Sequence, residues 1–428
     1  MKSTAVRIGR FLLRTKLFWG LAVLYLIAIA ISPVNRRGVN IFLEPGNQSD
    51  VLRQVSNNGM IAVGMTLVIL SGGIDLSVGS MMALGSVMCA MLLTGRGWTN
   101  ASVWGIPMLA VVCFVLCSYF VPLIALNLRR ESAIKAERAS PLSRGLGVLL
   151  GVILAGLAVW WSTSLLQSKF GVLGVLITVP AAGLVLGAVT GLIISKGRMQ
   201  PFIVTLAMMV AILGFARLMG REAVYPVYSG TNATEKFDVL RALVFNVVPV
   251  PGIFFLVAVL IFGLVLRFST FGRYVYAIGG NEQAARLAGI HVDQVKVAVY
   301  AISGMLAALA GVLYTAQYRQ GKSDAGQGAE LDAIAAVVIG GTNLMGGRGS
   351  MTGTLVGVLI FGFLGNILLL KNIDSNTQLV LKGAIILVAV LLQEGQIGLW
   401  WKRLQARFAP AKAAAKPTKP ARPVEHVR

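Results

Sequence analysis

Long apolar runs alternate with short polar, glycine-rich or basic breaks along most of the chain. Each run approaches the ~20 residues that a helix needs to cross ~30 Å of hydrocarbon. The runs are Leu17–Ser32, Asn58–Leu70, Val78–Leu93, Val103–Leu126, Leu146–Leu166, Leu173–Ile194, Pro201–Leu218, Val250–Leu266, Val292–Tyr314, Thr352–Leu370 and Leu379–Leu392. Several are short, which predicts helices that are tilted, broken or extended by flanking residues. The pattern therefore predicts an all-α polytopic membrane protein with about ten to twelve transmembrane helices, some of them broken or re-entrant. A basic segment, 1–16, precedes a transmembrane domain over 17–400, and a basic tail, 401–428, follows it.

Two polar interruptions differ from ordinary connections. The first is YAIGGNEQAARLAGIHVDQVK, Tyr276 to Lys296, too polar for lipid yet patterned as a helix. Asn281 can cap its start, Glu282 sits where the macrodipole favours an anion, and Gly289 can close it in the left-handed conformation. Ala284, Ala285 and Ala288 recur at helical spacing and predict a smooth face for another protein's backbone. An ordinary connecting loop with a chance helical turn is the other reading of these residues.

The second interruption is VILSGGIDLSVGSMMALG, Val68 to Gly85. Gly72 and Gly73 break an apolar run and Asp75 follows. A carboxylate there is costly in lipid and must face a cavity, a helix N-terminus or the aqueous edge. With Ser77 behind it, Asp75 can cap the helix beginning near Val78; contact with a transported solute is the alternative. A related arrangement returns as VVIGGTNLMGGRGSMTGTLVGVL, Val337 to Leu359, as expected of a duplicated unit in a transport fold. Just before it, Glu330 and Asp332 either meet a solute or partner at the outer mouth or cap a half-helix.

Composition and charge narrow the class. Hydrophobic residues make up 56% and charged ones 13% of the 428 residues, which excludes a soluble domain. Arg7, Arg10, Arg14 and Lys16 precede the first run and place the N-terminus in the cytoplasm. Alternation then puts the basic loop 127–145, the Tyr276–Lys296 stretch and the C-terminal tail on the same side, if Ala329–Gly340 dips in from outside. Arg36 and Arg37 oppose that scheme. The net charge of +22 thus lies at helix ends and does not form a nucleic-acid face. The tail reads as disordered, either touching anionic headgroups or merely solvated. All 7 Trp residues fall at expected interfaces, Trp19, Trp400 and Trp401 inside and Trp98, Trp104, Trp160 and Trp161 outside. The first run has no convincing small-residue cleavage site after it, so no cleavable signal is expected.

Catalytic chemistry finds no footing. The 2 histidines, His291 and His426, build no metal site or embedded base. Cys89, Cys113 and Cys117 lie in apolar runs and read as buried thiols. There is no GxxxxGK[ST] phosphate loop, so no catalytic residue, metal or cofactor is expected and any ATP hydrolysis belongs to another chain.

Four segments taken in order, SGGIDLSVGS (71–80), PFIVTLAMM (201–209), YAIGGNEQAARLAGI (276–290) and AELDAIAAVVIGGTNLMGGRGS (329–350), resemble the permease subunits of bacterial ABC importers for monosaccharides. These are the ribose, xylose, arabinose and galactose systems of the branched-chain amino acid permease superfamily. The resemblance runs from about Val51 to Gln393. It implies a type II importer in the bacterial inner membrane, with both termini cytoplasmic. Two permeases, either a homodimer or a pair of paralogues, would surround one pathway, served by two ATPase subunits and a periplasmic sugar-binding protein. It also implies that 279–291 is the coupling helix, with Gly279, Gly280, Asn281, Glu282, Ala284, Ala285, Arg286, Ala288 and Gly289 meeting the ATPase. Asn57, Asn58, Thr66, Gly72, Gly73, Asp75, Ser77 and Thr205 are the candidates for the pathway or its helix break.

The chain departs from that pattern within about 103–166, where an additional helix pair is expected on the periphery. Permeases for branched-chain amino acids or nucleosides are the nearer alternative. A secondary transporter would need embedded ionisable groups, for which Lys382 is the main candidate. A membrane-embedded transferase would need paired acids or a metal motif, and Asp75 has no acidic neighbour in sequence.

Overall fold

The computed structural model describes residues 18–94, 172–220, 225–227 and 235–393. Twelve α-helices are present among them: α1 (Phe18–Ile31), α2 (Pro45–Leu70), α3 (Val78–Thr94), α4 (Val172–Gly197), α5 (Pro201–Gly220), α6 (Val250–Phe268), α7 (Thr270–Gly280), α8 (Glu282–Leu287), α9 (Val292–Tyr318), α10 (Ala329–Ile339), α11 (Met351–Leu370) and α12 (Ser375–Gln393). Five of these, α4, α5, α6, α9 and α11, are long and apolar enough to span a membrane. The chain is therefore a mostly helical polytopic membrane protein. The expected extra pair, Val103–Leu126 and Leu146–Leu166, lies outside the described residues, as do the 127–145 loop and both termini.

Helix α2 begins at Pro45, well before the apolar run at Asn58. Proline suits the first helical position because its missing N–H has no intrahelical partner there. The polar first turns are held by protein and not by lipid. Asn47 and Asn366 of α11 exchange side-chain hydrogen bonds of 3.1 and 2.8 Å, and Ser49 donates to the Val247 carbonyl. Beside them Tyr25, Phe42 and Phe363 pack edge to face, with centroids 5.1 to 5.6 Å apart.

At the centre of the bundle lies α9, packed against α2, α3 and α4. Lipid gives helices little hydrophobic reason to associate, so close van der Waals contact has to hold them. Gly183, Gly187 and Gly191 form a stripe on α4 against Gly304, Tyr300 and Val297 of α9. A Cβ at Gly191 would stand 2.8 Å from the Val297 Cα, and one at Gly187 would overlap the Tyr300 carbonyl. Toward α3, a Cβ at Gly85 would come within 2.6 Å of the Ala308 carbonyl, and toward α2 one at Gly64 within 2.9 Å of the Ser303 Cα. Buried hydroxyls add hydrogen bonds, Ser86 with Thr315 of α9 at 2.9 Å and, between α2 and α11, Thr66 with Thr354 at 2.6 Å.

Among the described residues the connections carry two short ribbons. β1 (Tyr225–Pro226) pairs antiparallel with β4 (Gln320–Gly321), and β2 (Leu243–Val244) with β3 (Val248–Pro249). These ribbons close the end of the bundle where α9 finishes. α5 and α6 instead present rows of exposed apolar side chains, among them Val210, Phe215, Leu260 and Leu264, as expected of surfaces facing lipid or another membrane subunit.

If the α4–α9 contact carries the bundle, Gly187→Leu should cost at least ~1–3 kcal/mol through overpacking. The expected outcome is less monodisperse protein extracted from membranes and a lower Tm. Gly214→Leu on α5, where a Cβ meets nothing within 4 Å, should leave both near wild type. Equal behaviour of the two variants would refute the packing argument.

Candidate functional site

The break between α2 and α3 is organised around Asp75, which is fully buried. Its Oδ1 accepts from the Ser77 N–H at 3.0 Å and from the Ser77 hydroxyl at 2.6 Å. Its Oδ2 accepts from the Ser303 hydroxyl on α9 at 2.9 Å. The carboxylate thus forms a local turn before α3 and also ties the broken helix to α9. Thr205 of α5 donates to the Ile74 carbonyl at 3.2 Å, adding a third helix to the break. Gly72 has φ +81°, a conformation open to glycine, and at Gly73 a Cβ would run into the buried Tyr300 hydroxyl.

Three glycine-rich segments meet at one backbone junction. The Gly347 N–H donates to the Leu70 carbonyl at 3.0 Å, so the turn after α10 closes on the end of α2. A Cβ at Gly346 would lie 3.0 Å from the Cα of both Gly72 and Gly279, and one at Gly347 2.9 Å from the Gly280 Cα. The Tyr276 hydroxyl donates to the Gly349 carbonyl at 2.9 Å. No side chain fits between these strands of backbone. The two helix–turn–helix units, α2/α3 and α10/α11, therefore both abut the segment that leads into α8.

Helix α8 projects from this junction. Asn281 caps it, accepting from the Ala284 N–H at 3.0 Å, and Gly289 at φ +82° terminates it. Two cations and two anions clamp α8 to the first turns of α9. Glu282 pairs with Arg286 at 3.1 Å and Lys296 at 2.7 Å, and Arg286 reaches Asp293 at 2.6 Å. Burial opposes ionisation of Glu282, but Lys296 and Arg286 outweigh it and hold the carboxyl below its usual range. Asp293 in turn raises the Arg286 pKa. The expected face needs one correction. Ala285 turns inward and is 4% exposed, because position 285 packs on the bundle, whereas Leu287 is 91% exposed. The outward surface includes Ala284, Leu287 and Ala288 together with Gln283 and Arg286, with Gly289 beyond it.

At the opposite end of α9 a cavity of about 310 Å³ opens between α2, α9, α10, α11 and α12. Asn57 and Asn58 line it from α2, Tyr314 and Tyr318 from α9, Asp332 from α10, and Gln378 and Lys382 from α12. Asp332 accepts from Lys382 at 2.9 Å and from Asn58 at 3.3 Å. Asn57 donates to Gln317 at 2.9 Å. The other candidates sit elsewhere. Thr66 bonds Thr354 inside the core, Ser77 and Thr205 belong to the break, and Glu330 is half-buried against Gly79 of α3. Among the described residues no group of three or more His, Cys, Asp or Glu side chains is placed to hold a metal ion.

Residues 47–150 and 142–390 match the family described as branched-chain amino acid transport system / permease component. The chain belongs to that family. Among its relatives is the ribose import permease protein RbsC of Bacillus subtilis (strain 168), 38% identical over 376 residues, 88% of this chain and 91% of that protein. The RbsC of Haemophilus influenzae is 34% identical over 393 residues, 91% and 96% of the two chains. The xylose transport system permease protein XylH of Escherichia coli (strain K12) is 34% identical over 367 residues, 82% and 85%. No solved structure matches the chain. Within this permease family the two matched pieces meet at 142–150, inside the region where an added helix pair is expected.

Leu287 and Gln378 of α12 did not stand out by sequence pattern. A lone leucine in a polar helix was the available signal for the first. Lys382 stood out as a cation in an apolar run, and it pairs with Asp332 of another helix.

Asp75→Asn keeps an oxygen for Ser77 and offers an N–H to the Ser303 oxygen, so the permease should assemble in near-normal amount. Asp75→Leu removes the acceptor for three buried donors, each worth ~1–3 kcal/mol when unsatisfied, and should cut recovery of folded permease sharply. Equal recovery of both variants would show that these bonds do not hold the break.

Proposed function

We propose that the chain is the membrane-spanning permease subunit of an ATP-driven ABC importer in a bacterial inner membrane, carrying a monosaccharide from a periplasmic binding protein to the cytoplasm. The observation that carries this reading is near full-length similarity to permeases named for ribose import and xylose transport. Those names favour a sugar over the amino acids in the family's description. The permease is a transport subunit and not an enzyme; a separate ATPase subunit hydrolyses ATP.

In this reading α8 is the coupling helix and lies at the cytoplasmic face, together with both termini. Leu287 enters a groove of the ATPase, flanked by the small residues Ala284 and Ala288. Because charge pairs fix α8 to the base of α9, movement of the ATPase tilts α9 and reopens the bundle on the other side. ATP and the loaded binding protein bias a pre-existing equilibrium between the two openings. Two permeases, as a homodimer or with a paralogue, form a type II arrangement of about ten to twelve helices each, an even number of which leaves both termini on one side.

Reconstituted with its ATPase and binding protein, the wild-type complex should import D-ribose or D-xylose and hydrolyse ATP faster when the loaded binding protein is present. Leu287→Glu and Gly289→Trp should abolish that stimulation while permease levels in the membrane stay normal. Full stimulation in both would reject α8 as the coupling element. With Cys89, Cys113 and Cys117 replaced, a cysteine at Ala288 should be shielded from an impermeant thiol reagent outside intact cells. Labelling from outside would invert the orientation.

A further inference from the structure

We infer that Asp75 exchanges hydrogen-bond donors on α9 during transport: Ser303 holds it in the conformation described above, and the hydroxyl of Tyr300 holds it in the other. The inference rests on the ATP-biased equilibrium proposed above and assigns a positioning residue to it.

Tyr300 is fully buried, and its hydroxyl has no hydrogen-bond partner among the described residues. A buried donor in that condition is costly, and a partner gained in a second conformation accounts for it. The hydroxyl lies at the break itself, 2.3 Å from the position that a Cβ on Gly73 would take, two residues before Asp75. Nearby backbone is already engaged, since the Gly73 N–H bonds the Val68 carbonyl and the Ile74 carbonyl accepts from Thr205. Asp75 has capacity to spare. Its Oδ1 accepts twice from Ser77, whereas Oδ2 accepts once, from Ser303, although each carboxylate oxygen can take two donors. Tyr300 and Ser303 are three residues apart, so both stand on the face of α9 that meets the break.

The packing of α9 permits the exchange. Gly183, Gly187 and Gly191 recur every four residues along α4 and meet α9 at Gly304, Tyr300 and Val297. A stripe that repeats nearly every turn presents a similar surface after α9 has moved along its axis by about one turn, a ratchet that packed helices can make. Bringing Tyr300 to the carboxylate in place of Ser303 needs at most three residues of travel, ~4.5 Å at 1.5 Å per residue, and the longer tyrosine side chain shortens it. Because Glu282, Arg286, Asp293 and Lys296 clamp α8 to the first turns of α9, a force on α8 reaches this exchange along the helix. Asp75 then acts as a catch with two positions, and the relative strength of its two donors sets how the conformations are populated.

The test uses the permease with its ATPase and binding protein in nanodiscs, Cys89, Cys113 and Cys117 replaced, and spin labels at Lys196 on α4 and Tyr318 on α9, both exposed. These positions lie near opposite ends of an antiparallel pair, so pulsed electron spin resonance between them reads axial travel. In the wild type the distance should change by about 3–4 Å between the nucleotide-free and ATP-trapped complexes. Tyr300→Phe, which removes the hydroxyl alone, should assemble normally and lower the ratio of second to first population in the trapped complex at least about fivefold, as loss of one buried hydrogen bond does. Ser303→Ala should raise that ratio in the nucleotide-free complex by a similar factor. A merely structural role would not move the two variants in opposite directions. Wild-type populations in Tyr300→Phe, or a shift of both variants the same way, would overturn the exchange; if Ser303→Ala fails to assemble, the Tyr300→Phe ratio and the wild-type distance decide it. Stimulated ATP hydrolysis with an unchanged wild-type distance rejects the exchange alone, and absence of stimulated hydrolysis rejects the importer reading with it.

Discussion

Everything in this bundle depends on how closely α9 approaches its neighbours. In lipid the usual reason for burying apolar faces is weak, so contact has to come from backbones that nearly touch. The glycines at 183, 187 and 191 on α4, 85 on α3 and 64 on α2 remove the side chains that would keep α9 away. Small residues on α9 itself, Ser303, Gly304, Ala308 and Gly311, complete the fit. Polar bonds such as Asp75 with Ser303 and Ser86 with Thr315 then fix the register of a contact that packing alone leaves free to slide.

One element consequently joins three features distributed along its ~40 Å length. Its first turns hold α8 through the Glu282, Arg286, Asp293 and Lys296 cluster. Its middle anchors the broken helix at Asp75, and its last turns supply Tyr314, Gln317 and Tyr318 around the polar cavity. A helix so gripped along its length is expected to move as a rod. This is the property that the proposed coupling from an ATPase to a solute pathway requires.

The apolar runs made the helical class legible, and the placement of Asn281, Gly289 and the SGG break announced local geometry that the backbone adopts. Single-residue chemistry of this kind is readable because caps and left-handed turns restrict residue type. Three things were not readable, all for the same reason. The start of α2 at Pro45 is hidden because its polar turns are satisfied by Asn366 and Val247 from distant sequence. The inward face of Ala285 depends on what the rest of the bundle places behind it, and a six-residue helix has too few positions to reveal its buried side by periodicity. The Asp332–Lys382 pair spans 50 residues and two helices, so neither residue points to the other until the chain is folded.

The rod-like linkage of α8 to α9 is most directly tested by pulsed electron spin resonance on the assembled complex. One pair of spin labels at Gln283 and Tyr318 reports along α8 and α9, and a second pair at Gln283 and Asn376 reports from α8 to the start of α12. Between the nucleotide-free and ATP-trapped states, the first distance should stay constant within about 2 Å while the second shifts by more than that. A first distance that changes as much as the second would mean that α8 moves independently of α9, and the account of coupling through that helix would be wrong.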